Sequence, residues 1–178
     1  MNDKTEVHWY ALRITYSREL ALKEYLDSKQ IENFIPMHYV DVVKNEQRTR
    51  KLVPAVHNLV FVRASREQLD VLKREKECTL PMRYIMNRET RQPVVIPERQ
   101  MQSFIAVAGN TEQQAIYLDM ADVHLRKGDR VRVVGGIFAG IEGTFMRIKN
   151  DRRVVVILEG VMAVATVPIH PSLIEKLD

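Results

Sequence analysis

The chain has 178 residues, with 27 Lys and Arg against 23 Asp and Glu, a formal net charge of +4 and a sequence pI of about 9.2. This length allows one domain or two small ones, and a hydrophobic content of 46% is that of an ordinary globular protein. No apolar run reaches the ~20 residues of a membrane span, the opening Met-Asn-Asp-Lys-Thr-Glu lacks the apolar stretch of a secretory signal, and Cys78 stands alone, which excludes an intramolecular disulfide and a cysteine metal cluster; a cytoplasmic protein without membrane contact is the expectation.

Val7 to Thr15 alternates among β-favouring residues and reads as a strand. Ser17 is placed to cap a helix over residues 17 to 29, with Glu19 in its first turn, where the helix dipole favours anions. Asn33 to Val43 reads as a second strand. Residues 44 to 51 form a basic hairpin tip, with Lys44, Arg48, Arg50 and Lys51 against Glu46. Leu52 to Ala64 returns as a strand, broken or bent near Pro54, which cannot donate to a ladder. Ser65-Arg-Glu-Gln68 is a capping box opening a second helix that runs to about Lys76.

Met82 to Met86 alternates as a fourth strand, and Val94-Val95-Ile96 is a short edge strand. Pro97 suits the first turn of a third helix, whose face is Met101, Phe104, Ile105 and Ala108 and whose stop is Gly109-Asn110. The β-α-β-β-α-β-α order is that of an antiparallel sheet with helices packed on it. Residues 110 to 125 carry no clear period, three acidic and no basic side chains, and read as a connector that is less polar than a free linker. Beyond Gly128 the signals are short strands at 131–134, 143–149, 153–158 and 162–167. A tight turn is expected at Asn150-Asp151, another turn at Gly160, and Phe138 as an anchor between glycines. Leu173-Ile174 is expected to close a small barrel, which removes exposed strand edges. The basic excess lies on either side of the connector, and such surfaces attract phosphate without sequence preference.

The signatures of catalysis and of cofactors are missing. The five histidines lack a second His or Cys at zinc-site spacing. There is no Gly-x-Ser-x-Gly elbow and no phosphate loop, and the glycines at 135, 136 and 140 sit between short strands, without a helix dipole behind them. No enzyme activity, cofactor or metal is expected.

Two motifs in order carry a resemblance. Residues 8 to 16, His-Trp-Tyr-Ala-Leu-Arg-Ile-Thr-Tyr, precede a helix, a strand with Phe-Ile-Pro at 34 to 36, a basic loop, and Leu-Val-Phe-Val at 59 to 62. That succession resembles the NGN domain of NusG-type elongation factors. Residues 127 to 143, Lys-Gly-Asp-Arg-Val-Arg-Val-Val-Gly-Gly-Ile-Phe-Ala-Gly-Ile-Glu-Gly, resemble the KOW motif of SH3-like barrels. The resemblance implies an α+β NGN domain over 1–109, an antiparallel sheet flanked by helices; a linker over 110–125; and a small all-β SH3-like KOW barrel over 126–178. Val-Pro-Ala-Val-His-Asn-Leu (53 to 59), Pro-Met-Arg-Tyr-Ile-Met (81 to 86) and Gly-Val-Met-Ala-Val-Ala-Thr (160 to 166) resemble the specialised UpxY paralogs of Bacteroides-type bacteria, linked to capsular polysaccharide operons.

From this resemblance follow the expected sites. Tyr10, Leu12, Leu59 and Phe61 would form an apolar depression docking on the clamp helices of the largest RNA polymerase subunit. Arg18, Lys23, Lys44, Arg48, Arg50 and Lys51 would meet upstream DNA or the non-template strand. No aromatic lies within 44 to 51, so contact there would be mainly to phosphate. Val161 and Met162 stand where the family's KOW loop meets Rho or a ribosomal protein, although the usual aromatic is missing there. Arg147, Lys149, Arg152 and Arg153 form a second basic cluster that could touch nascent RNA. The implied function is non-catalytic elongation and antitermination, specific to surface-polysaccharide operons. A housekeeping NusG and a ribosome-associated KOW protein are the alternatives.

Overall fold

The computed structural model describes residues 4–44, 46–75, 79–113, 115–124 and 128–177. Cys78, Lys127 and the expected boundary at 125–126 lie outside the described residues. In chain order the first elements are β1 (Val7–Ile14), α1 (Glu19–Ser28), β2 (Glu32–Phe34), β3 (Met37–Lys44), β4 (Gln47–Pro54), β5 (Leu59–Ser65), α2 (Arg66–Leu72), β6 (Met82–Tyr84) and β7 (Val95–Ile96). There follow α3 (Glu98–Ala108), β8 (Ile116–Leu118), α4 (Met120–His124), β9 (Asp129–Val133), β10 (Glu142–Ile148), β11 (Asp151–Leu158), β12 (Met162–Ala165) and β13 (Ile174–Lys176). Contacts divide the chain into two compact units: Met1–Ile35 with Val56–Glu98, and Pro36–Ala55 with Arg99–Asp178.

The first unit is built on an antiparallel sheet in the order β2-β5-β1-β6, with β7 also paired to β1. Trp9 to Leu12 and Leu59 to Val62 are buried without interruption, so both faces of the centre are covered. On α1, Leu22 and Leu26 are buried, as the helical period requires; on α2, Leu69 and Leu72 are. The capping box opening α2 forms as expected: Ser65 Oγ accepts the Gln68 N–H at 3.1 Å, and Gln68 Oε1 accepts the Ser65 N–H at 2.9 Å.

The cap expected for α1 is replaced by a distant residue. Ser17 lies outside the helix at φ 51°, and its N–H donates to Asn58 Oδ1 at 3.1 Å. Arg18 holds the cap position without a side-chain cap bond. Glu19, 1% exposed, accepts the backbone N–H of Asn58 instead, and the Asn58 carbonyl accepts the Ile14 N–H at 3.1 Å.

The second unit holds the β3–β4 hairpin and a six-stranded antiparallel sheet ordered β13-β9-β10-β11-β12-β8. The strands expected over 33–43 and 52–64 are each broken. Pro36 separates β2 from β3, the stretch 55–58 separates β4 from β5, and β3 and β4 pair only with each other. A proline removes a ladder donor, and Asn58, at φ 61°, reverses the backbone.

The connector is more ordered than its missing period implies. Ile116 to Leu118 pairs with Ala163 to Ala165, and Val123 of α4 joins a core of Met146, Ile148, Val155, Ala163 and Ala165. Phe138 is buried, as expected. The turn between β10 and β11 falls one residue earlier than expected: Ile148 faces Asp151, and Lys149 and Asn150 take φ 48° and 70°, the left-handed pair of a two-residue hairpin turn.

Candidate functional site

The register of β1 against β5 corrects the expected apolar depression. Tyr10 faces Val62 and Leu12 faces Val60, whereas Phe61 faces Ala11 and Leu59 faces Arg13. Paired residues share a face and successive residues alternate. Tyr10 and Leu12 therefore lie on one side of the sheet, and Leu59 and Phe61 on the other. All four are buried, at 0 to 4% exposure, so they form core on two faces rather than one open groove.

The Tyr10 face is closed by α2. Tyr84, opposite Leu12, donates its hydroxyl to Asp70 at 3.3 Å, and the Lys73 ammonium lies 3.4 Å from the centre of its ring. Burial, then the Asp70 carboxylate, pushes the Tyr84 hydroxyl far above the ordinary tyrosine range. Burial likewise raises Tyr10 and lowers Lys73. The other face carries Trp9, Phe61 and Phe34, the two phenylalanines with ring centres 6.4 Å apart. At its margin Arg63 bridges Glu32 and Glu98, each at 3.2 Å.

The expected nucleic-acid cations fall into two groups. Lys23 is held by Asp27 at 2.9 Å and by Asn33 at 3.5 Å, a closed local cluster. Arg18 is exposed, with its guanidinium 5.8 Å from the Tyr16 ring centre. Lys44, Arg48, Arg50 and Lys51 are all exposed, and among the described residues none pairs with a carboxylate within ion-pair distance.

These four do not sit in a loop, as expected from sequence. Lys44 ends β3, the other three lie on β4, and the ladder runs as far as Lys44 facing Gln47. The strand period then sorts them. Arg48 and Arg50 share a face with Tyr39, Asp41, Val43 and Leu52; Lys44 and Lys51 share the other with Val40, Val42 and Thr49. Arg50 lies 4.5 Å from the Tyr39 ring centre, a cation–π contact worth ~0.5–1 kcal/mol at an exposed site. Tyr39 escaped the sequence reading because it precedes the basic run by five residues and reaches it only across the ladder.

On the C-terminal sheet the basic cluster also divides. Arg153 is buried, donating to the Thr166 carbonyl at 2.7 Å and to Asp151 at 3.2 Å. Arg152 lies on the surface, 5.7 Å from the Phe145 ring centre, opposite Arg147, and Lys149 occupies the turn. The expected partner loop is a tight turn: Leu158 pairs with Met162, which is 5% exposed, and Val161 is half-buried. Met162 thus belongs to the core of the sheet. An exposed apolar residue at a turn of this sheet is Ile137, 67% exposed beside Gly136, at φ 77°. An aliphatic residue inside a glycine turn was its sequence signal. Burial pushes Tyr117 of β8 up to about 12.

Among the described residues no group of His, Cys, Asp and Glu could hold a metal ion, and no helix is long and apolar enough to cross a membrane. A search of curated proteins finds no match. Residues 7–105, more than half of the chain, match the family model described as "Transcription termination factor nusG". This span begins at β1, includes the hairpin and ends within α3, and on it the chain belongs to the NusG family.

Proposed function

We propose that this chain is a non-catalytic transcription elongation factor that binds RNA polymerase through its N-terminal domain and suppresses pausing and termination. The observation that carries the reading is the family match over residues 7–105; the family implies elongation or termination control and, in general, interaction with RNA polymerase. Tyr10, Leu12, Leu59 and Phe61 shape the docking domain from within, and the clamp of the largest subunit is the proposed docking partner. A bridge across the clamp disfavours paused states because a ligand shifts an equilibrium by its differential affinity for the two states. The hairpin cations, which meet no carboxylate among the described residues, support contact with upstream or non-template DNA, with Arg18 at the entry to α1 as an accessory.

The finer assignments follow the sequence resemblance. Residues 1–109 form the NGN domain, 110–125 the link and 126–178 a KOW domain. The C-terminal sheet would offer Val161, with Met162 beneath it, to Rho or the ribosome, and Arg152 and Lys149 to nascent RNA. The 53–59, 81–86 and 160–166 segments support an operon-specific, UpxY-like factor of surface-polysaccharide genes, acting in the cytoplasm. Affinity purification of the tagged chain from its host tests the reading. RNA polymerase subunits are expected to co-purify; ribosomal proteins without polymerase would instead establish a ribosome-associated protein.

A further inference from the structure

The β3–β4 hairpin is eight residues long on each strand and is mostly exposed on both faces. An isolated two-stranded hairpin is marginally stable in water, and exposed apolar residues such as Tyr39, Val42, Val43 and Leu52 tend to mark a contact surface when they lie together. The two faces differ in kind. One carries Lys44 and Lys51 beside Val42 and Thr49 and has no Phe, Tyr or Trp. The other carries Arg48 and Arg50 beside Tyr39, with the Arg50 guanidinium over an aromatic ring that is 39% exposed.

We propose that the Tyr39–Arg48–Arg50 face of the hairpin binds single-stranded nucleic acid by stacking its unpaired bases, not by phosphate contact alone. This rests on the reading of the hairpin as a nucleic-acid contact and names the form of the ligand. The Arg50 guanidinium lies over the Tyr39 ring, so the pair offers the outer plane of the guanidinium, backed by the ring, and every base has a π-face to set against such a platform. Bases present a free face to a protein only where pairing is open, so duplex is the disfavoured form. Arg48 lies two residues from Arg50 on the same strand face, ~6.6 Å along β4. Among the described residues no carboxylate lies within ion-pair distance of these cations, which leaves them to the backbone of the same strand. Asp41, which faces Arg50 in the ladder, sets a limit on the charge of the platform and places the weight on stacking.

The test uses the full chain without polymerase, so its outcome is independent of polymerase docking. Tyr39→Trp supplies a fluorescent reporter at the platform, while the native Trp9 is 2% exposed and screened from ligand. Titration is with single-stranded DNA, single-stranded RNA, duplex DNA and an abasic oligonucleotide of the same length. Quenching by a base-bearing single strand, with much weaker binding of the abasic strand and of duplex, is expected. The DNA and RNA arms identify which source is preferred.

By anisotropy with labelled oligonucleotide, Tyr39→Ala should weaken binding roughly 5- to 150-fold with the salt slope unchanged, and Tyr39→Phe should restore it. Arg48→Ala should instead lower the salt slope by about 0.7, the increment for one phosphate of a single strand. Equal affinity for abasic and base-bearing strands, tighter binding of duplex, or a Tyr39→Ala chain that folds by circular dichroism and binds normally would each overturn the proposal.

Discussion

Strands β5 and β4 stand next to each other in the chain and come to opposite ends. In β5, six of seven residues are buried; in β4, six of eight are exposed. Composition is part of the difference, since β4 opens with Gln-Arg-Thr-Arg-Lys, but β3 carries Tyr39, Val40, Val42 and Val43 and is mostly exposed too. The rest lies in the neighbours each strand is given. β5 is flanked by β1 and β2 and covered on both faces, whereas the ladder gives β4 a single neighbour, β3. Apolar content therefore says whether a stretch can be a strand, and position in the sheet says whether it becomes core. The hairpin keeps free the side chains that the sheet consumes.

That contrast is sharpest at Phe61 and Tyr39. Phe61→Ala should destabilise the chain by ~3–5 kcal/mol, the usual cost of truncating a buried phenylalanine. Val43→Ala should stay within ~0.5 kcal/mol, as surface substitutions do, and Tyr39→Ala, which also loses the Arg50 contact, within ~1 kcal/mol. Chemical denaturation of the three variants measures both, and a large loss at Tyr39 would show that the hairpin is part of a core.

A smaller effect is expected at Glu19, whose carboxylate is buried against the Asn58 N–H. Glu19→Ala should cost ~1–3 kcal/mol, the penalty for leaving a part-buried donor unsatisfied, read as a shift of the denaturation midpoint. A neutral result would mean that water replaces the carboxylate without loss.

The smallest effect separates charges that are used from charges that are free. Asp27 is held below the usual carboxylate range by hydrogen bonds from Lys23 and then Asn33, and Glu75 by those from Lys29 and then Tyr25. Both folded values lie below the unfolded ones. Their contribution is therefore present above the ordinary carboxylate range, near pH ~4, and fades as pH falls through the depressed values. Asp27→Asn should remove part of the stability lost between neutral pH and pH ~3, a shallow change measured by thermal melts across that range. Melts of parent and variant that stay parallel would show that the cluster is solvated charge.

What the sequence made legible was local. Ser65 and Gln68 marked the start of α2 through a bond spanning three residues, and Pro97 marked the start of α3 at Glu98. What it hid was set by distant partners. The pairing of Ile116–Leu118 depends on Ala163–Ala165, and the cap of α1 depends on Asn58. The faces of Tyr10 and Phe61 depend on a register that no single strand contains. Four apolar residues on adjacent strands looked like one surface because a sequence records alternation within a strand but not which residue lies opposite. The same limit separated Tyr39 from the arginines that it meets across the ladder.

The two ends of the hairpin segment are tied together by the Ala55 N–H, which donates to the Pro36 carbonyl at 2.8 Å. Everything between those residues leaves and returns through one gate. Closing a longer loop costs only ~0.6 kcal/mol per doubling of its length, so a change in the length of the hairpin between Pro36 and Ala55 is expected to act on that segment like a change of pendant on a fixed hook. The five-stranded sheet, which neither hairpin strand joins, is expected to keep its own pairing.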